Sequence, residues 1–286
     1  MKLIKPSAQI IEPTGYTIDD IYKSIELAGR CSHKSEDKIT ETSAKDFVGR
    51  MLNMKHLATC EFGTVYLHAH SMYDLDIEKY RQNPYSKAIW NNGHYISTNY
   101  RVLVENNWLD DLKYLCEPTE YHHKRYTVKF ICDRGILAEF TRHRRFSFMA
   151  ESTRYCNYSK GKFNNQLTFI IPCWIKDLKE GNYYDICSYN CREINPSKEW
   201  LDACINAEFS YTDLIEGGWK AEQARDVLPL SLKTELYMCG FAEDWKQFFL
   251  LRVKKLATGK PHPQASELAT PLYEEFVARG YINSLI

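Results

Sequence analysis

The sequence predicts an α+β (α/β mixed) fold in which helices pack on an antiparallel sheet. Three observations carry this expectation. Apolar residues recur at helical spacing in both halves of the 286-residue chain. Short runs of alternating β-branched and aromatic residues lie between those segments. No internal repeat or low-complexity tract interrupts them, and residues 1–286 read as a single domain.

Taken in order, residues 17–30 carry Ile18, Ile21, Ile25 and Leu27 behind Thr17, a hydroxyl residue suited to cap a helix. A second helix is expected near 43–55, with Phe47, Met51, Leu52 and Met54 as its apolar side. "GTVYLHAHSM" (63–72) and "YTVKFIC" (126–132) read as strands. Between them, residues of about 68–125 look like an insertion, punctuated at 81–97 by Asn83-Pro84 and Asn91-Asn92-Gly93. After the turn signal Asp133-Arg134-Gly135, Ile136, Leu137 and Phe140 have helical spacing and lead into Arg142. The basic segment that follows is therefore expected to leave a helix end and run into a loop. "QLTFIIPCW" (166–174) reads as a strand, 197–225 as helical and "LKTELYMCGF" (232–241) as a strand. A helix over 242–256 with Trp245, Phe248, Phe249 and Val253 inward, and another over 264–278, complete the chain.

Composition limits the function. With 37 basic and 37 acidic residues the formal charge is zero, so nothing draws the whole chain to nucleic acid or to an anionic membrane, and any anion site must be local. No run approaches the roughly 18 apolar residues of a membrane span, and "MKLIKPSAQIIEPTG" lacks a signal peptide's apolar core, so a cytoplasmic location is expected. Ten scattered cysteines fit reduced thiols. The nearest pair, Cys187 and Cys191, has no second pair or histidine at ligand spacing, and His68, His70, His122 and His123 read as surface or core residues. No metal is expected.

The local anion site is "RHRRFSFMAESTRYCNYSK" (142–160). One reading is a solvated basic face, or a module that binds nucleic acid. Against it stand Phe146, Phe148 and Met149, which a solvated face would not favour, and the mixed charge of the flanks at 117–126 and 175–186. The other reading is a cradle for a small phosphate ester: Ser152 and Arg154 alternate, and a guanidinium fork matches phosphate oxygens.

Arg142-His143-Arg144, seven residues, then Ser152, with Arg154-Tyr155 behind it, resembles the signature of the flavin-dependent thymidylate synthases (the ThyX family). Four further segments are similar in the same order. "AGRCSH" resembles an Arg-x-Ser element around Ser32, and "HLATCEFGTVYL" a His-x4-Glu element with His56 and Glu61. "ARDVLPLSLKTEL" contains Arg225, and "DWKQFFLLR" ends in Arg252. The resemblance spans about residues 25–270, interrupted by the insertion.

The resemblance implies a ThyX-like fold, a mainly antiparallel sheet flanked by helices, in a homotetramer with flavin sites between subunits. It implies methylation of dUMP at C5 to dTMP, with methylenetetrahydrofolate as carbon donor, reduced FAD as hydride source and NADPH to reload the flavin. Arg252 is then the catalytic arginine that polarises the pyrimidine. The dUMP set implied is Glu139, Arg142, Ala150, Glu151, Ser152, Thr153, Arg154, Arg225 and Arg252, with Ser152, Arg154 and Arg225 on the phosphate. The FAD set implied is Ser32, His56, Glu61, Arg142, His143, Arg144 and Gln247. A purely structural alternative has Glu61 paired with an arginine and His56 capping a helix.

Four positions depart from the pattern. Glu139 replaces a glutamine, Ala150 an acid or amide, Phe241 an asparagine and Glu243 an arginine; a carboxylate can neither donate like an amide nor act as a cation. Glu151 is expected to compensate in part for Ala150. These departures motivate the alternative of a related enzyme acting on another pyrimidine nucleotide or transferring a hydroxymethyl group. Cys173, after Pro172, and Cys156 are expected to be inert.

Overall fold

The computed structural model describes residues 1–71, 74–184 and 195–285. Its strands are β1 (Lys2–Ile4), β2 (Ser7–Ile11), β3 (Thr64–Ala69), β4 (Lys87–Trp90), β5 (His94–Asn99), β6 (Arg125–Asp133), β7 (Ser147–Ala150), β8 (Thr168–Ile170), β9 (Gly181–Asn182) and β10 (Lys233–Phe241). Its α-helices are α1 (Ile18–Cys31), α2 (Ser43–Asn53), α3 (Ile77–Arg81), α4 (Tyr100–Glu105), α5 (Arg134–Phe140), α6 (Pro196–Glu216), α7 (Ala221–Ala224), α8 (Ala242–Arg252) and α9 (Pro263–Ala278). The fold is α+β, as expected.

The central sheet runs β2-β6-β10-β7, antiparallel throughout. Side chains alternate across a strand, so β10 serves two cores at once. Leu236 and Met238 join Val128 and Phe130 under Trp245, Phe248 and Phe249 of α8 and Phe276 of α9. Tyr237 and Cys239 point the other way and meet Ala28 and Cys31 of α1 and Phe62. Covered on both faces, β10 is buried along almost its whole length. Fully burying each large side chain of the first core stabilises the fold by about 1.5–3 kcal/mol.

Helix α1 begins where the sequence places it. Thr17 Oγ1 accepts from Asp20 N, and the Asp20 carboxylate accepts from Thr17 N in return. Its Ile21 and Ile25 face a second core with Phe47 and Val48 of α2 and with Val65, Leu67 and Ile96. Those last three belong to a separate antiparallel sheet, β3-β5-β4. Strands β4 and β5 form a hairpin that pairs with β3, with Asn91-Asn92-Gly93 as its turn and Asn92 left-handed at φ 51°. The third sheet is β8-β1-β9, backed by α6; β1 and β8 are parallel.

Several expectations need correction. Strand β8 covers only residues 168–170 of the expected 166–174, because Pro172 has no N–H to continue a ladder. Strand β3 likewise stops at Ala69. The helix expected over 197–225 breaks at Gly217-Gly218, with Gly218 at φ +92°, before α7 begins. Met54 is 57% exposed rather than part of the apolar side of α2. Strands β1 and β2, each followed closely by a proline, were not anticipated. The basic segment does leave the end of α5, but four of its residues form β7 rather than loop, paired to β10 from Leu236↔Ala150 to Cys239↔Ser147. Cys187 and Cys191 lie outside the described residues.

Candidate active site

Strand β7 divides residues 142–154 into two clusters about 13 Å apart, the length of four extended residues. The first cluster sits between α5 and the end of α8. Arg252 Nη1 is 2.6 Å from Glu139 Oε2, its Nη2 donates to the Glu139 carbonyl at 3.1 Å, and its Nε donates to His143 Nε2 at 3.1 Å. Accepting at Nε2 requires a neutral His143, protonated at Nδ1. Burial and the neighbouring Arg252 charge hold its pKa down at about 4, in keeping with that. Phe248 packs edge-on against the imidazole at 5.0 Å.

Around this cluster Arg142 and Arg144 are exposed and have no ion-pair partner among the described residues. Arg145 lies 3.8 Å from Asp244 and is itself 87% exposed. Gln247 is exposed on α8. Glu243 pairs with Lys87 (2.8 Å) and His123 (2.9 Å). Phe241 is buried beneath the Lys87 and Arg125 cations.

The second cluster gathers the other end of the segment. The Ser152 amide donates to the Ser32 carbonyl at 3.0 Å, which ties the loop to the end of α1. Tyr155 stacks on His33, ring centroids 4.3 Å apart, and the Arg154 guanidinium lies over the Tyr155 ring at 5.1 Å. Arg225 Nη1 donates weakly to Thr153 Oγ1 at 3.5 Å, and Arg154 Nε is 3.5 Å from Glu222 Oε2 of α7. Ser152, Thr153, Arg154 and Arg225 are therefore neighbours. Ser32 Oγ is turned inward, donating to the Gly29 carbonyl at 3.0 Å and lying 2.8 Å from His33 Nδ1.

Beneath this loop is a buried ion network that sequence reading missed. Glu151 is 2% exposed. Its carboxylate receives Lys233 Nζ at 2.8 Å and the Tyr158 hydroxyl at 2.9 Å. Lys233 also reaches Glu235 at 2.7 Å, and Lys34 and Lys129 lie 3.0 and 2.7 Å from the same Glu235 carboxylate. Burial by itself would raise the Glu235 pKa, but the lysines outweigh it and hold the group at about 2. Glu151 is thus committed to a structural network rather than free to replace the side chain missing at Ala150, which lies on the opposite face of β7. The only hint in the sequence was the charge alternation of Lys233-Thr234-Glu235 on a strand.

Other assignments resolve as follows. Glu61 is paired with Arg101 at 2.6 Å. His56 is exposed and caps nothing: its side chain makes no bond to the short 3₁₀ turn that follows. Burial pushes the Cys156 thiol up to about 12 and raises Cys173 as well, so both are protonated at neutral pH. His68 Nδ1 lies 3.1 Å from the His94 carbonyl. Cys31, Glu36 and Glu235 could converge on a cation. Burial keeps Cys31 a thiol, however, and Glu235 is already matched by lysines.

The thymidylate synthase complementing protein family matches residues 83–279. The flavin-dependent thymidylate synthase of Pyrococcus horikoshii is 27% identical over 155 residues, which is 54% of this chain and 55% of that protein. The corresponding protein of Synechocystis is 26% identical, covering 51% and 65%. A probable flavin-dependent thymidylate synthase of Paramecium bursaria Chlorella virus 1 is 29% identical, covering 53% and 65%. The chain spans about half the length of the archaeal relative. A UMP/dUMP methylase, PolB from Streptomyces cacaoi, solved with 5-Br UMP, aligns with 97% of this chain and 92% of its own at TM-score 0.46 and 15% identity.

Proposed function

Because the chain belongs to the thymidylate synthase complementing protein family, we propose that it is a flavin-dependent thymidylate synthase. In this reading it methylates dUMP at C5, with methylenetetrahydrofolate as carbon donor and NADPH as reductant. The observation that supports it most is the convergence of Ser152, Thr153, Arg154 and Arg225 at one end of β7, with Arg252 and His143 held together at the other.

In this mechanism the Ser152 hydroxyl and the Arg154 and Arg225 guanidiniums anchor the nucleotide phosphate through charge-assisted hydrogen bonds. Arg154 and Arg225 are exposed and only loosely held, so both can turn toward an incoming anion. Uracil C5 is a weak nucleophile and gains electron density when charge on the ring carbonyls and N3 is stabilised, which is the role of Arg252. His143 stays neutral at Nε2 and fixes the plane of that guanidinium.

The residues present fit a flavin dinucleotide in charge. Arg142 and Arg144 are exposed cations without an ion-pair partner among the described residues, suited to a diphosphate. His143 and Gln247 border the same surface, and Ser32 and His56 lie with the phosphate loop. FAD bound there supplies the hydride. Since the two clusters lie at opposite ends of β7, the reading includes a homotetramer in which neighbouring copies bring one cluster to the other.

Purified protein should be yellow, or gain flavin absorbance with FAD, and should release tritium from dUMP labelled at C5 when given NADPH and methylenetetrahydrofolate. Colourless protein that takes up no FAD overturns the reading. The Glu139–Arg252 ion pair favours one variant of it. A carboxylate that neutralises the base-polarising arginine suits a pyrimidine other than uracil, or a hydroxymethyl product. Product mass decides: dTMP as sole product from dUMP excludes that variant.

A further inference from the structure

A cavity of about 770 Å³ is lined by none of residues 142–144, 152–154, 225 or 252. It lies between the 11–16 loop, α1, the start of β6 and Tyr237 of β10, and Tyr66 of β3 closes one side with Pro118 and Lys124 of the segment that precedes β6. Its volume is that of a small-molecule site. Its walls are aromatic: Tyr16, Tyr66, Tyr126, Tyr237 and Tyr281 with Phe62. Tyr126 and Tyr281 stack at 4.2 Å, and Tyr16 meets Tyr66 edge-on at 5.7 Å.

The charges around the cavity are already balanced. Glu12 is held by Arg279 and the Tyr281 hydroxyl, both at 2.6 Å. The Arg125 guanidinium donates to the Glu61 carbonyl at 3.1 Å and to Thr64 Oγ1 at 3.3 Å. Lys23 lies beside Asp20 at 3.8 Å, and Lys124 and Glu41 add one exposed charge of each sign. The phenol hydroxyls of Tyr16, Tyr126 and Tyr237, by contrast, have no hydrogen-bond partner among the described residues, although Tyr237 is only 2% exposed. All three line the cleft, so their hydroxyls are available to a ligand that enters it.

We infer that this cleft is a second ligand site, which binds a flat, uncharged heteroaromatic ring of purine-nucleoside size. The ring stacks among the tyrosines, and its edge nitrogens and carbonyls satisfy the free hydroxyls. The inference does not rest on the thymidylate synthase reading.

The test uses the full chain and fluorescent 2-aminopurine riboside, with adenosine and AMP as competitors. Saturable binding is expected, with AMP no tighter than adenosine. Tyr16→Phe and Tyr126→Phe, which keep the rings and remove the hydroxyls, should each weaken it about three- to tenfold. Leu27→Trp, which fills the cleft, should abolish it, and Arg154→Ala should leave it unchanged. Three results overturn the site: no saturable binding in the millimolar range, binding unaffected by both phenylalanine variants, or binding that strongly prefers AMP and falls in Arg154→Ala.

Discussion

Glu139 and Arg252 form the ion pair on which the proposed chemistry turns. The guanidinium spends three donors on Glu139 and His143, so its charge is matched before substrate arrives. Glu139→Gln should free that charge and shift the alkaline limb of the rate profile, because N3 ionisation of bound dUMP becomes easier; an unchanged profile would remove Arg252 from base polarisation. Ser152→Ala and Arg154→Ala should raise the Kd for dUMP about tenfold, the loss of one charge-assisted bond, and leave bound flavin in place. His143 supplies a pH signature. Its folded pKa of about 4 lies below the ordinary histidine value, so the unfolded chain binds more protons between those limits and stability falls as pH drops from about 6.5 to about 4. Thermal melts across that range should show a smaller fall for His143→Phe than for the parent.

At the scale of elements, β10 and β7 must meet closely for the two clusters to be placed. Gly240 permits this: a Cβ there would come 2.5 Å from Phe146 Cδ1. Gly240→Ala should therefore cost about 1–3 kcal/mol in denaturant melts, since Phe146 is boxed in by Trp245 and cannot retreat freely. Helix α1 carries the other half of the arrangement. Arg30, buried against Glu26 at 2.6 Å and over Phe47 at 4.9 Å, locks its last turn to α2, and this sets the position of Ser32 and His33. Removing one partner leaves a buried charge alone, so Glu26→Ala should destabilise the chain by about 3–5 kcal/mol.

For the whole molecule, the net charge of zero hides a sharp local asymmetry, with the exposed cations Arg142 and Arg144, which have no ion-pair partner among the described residues, beside Arg145. On the proposed reading an anionic ligand occupies the surface around these arginines. Light scattering should give four times the chain mass of 33.6 kDa, and the assembly should tighten on FAD addition if ligand and interface share that surface. A monomer that turns over at full rate would show that each chain holds a complete site.

Much of this was legible in the primary structure because its causes are local. The Thr17 cap, the 3.6-residue spacing of Trp245, Phe248 and Phe249, and the alternation along 126–132 and 233–241 depend on neighbours in the chain, and each produced the element expected. Charge and hydroxyl spacing in 142–154 marked the proposed anion site from the chain alone for the same reason. Partnership across the fold was not legible. Glu151 looked free and is bound to Lys233, 82 residues away; Arg252 looked free and is matched by Glu139 from 113 residues away. Short β1 and β2 are strands because distant segments, β8 and β9 for β1 and β6 for β2, hydrogen-bond to them, and the tyrosine-lined cleft draws on residues from Ile11 to Tyr281. A side chain's type is written in the chain, but its charge balance and burial depend on what folding brings beside it, and those decide what it can do.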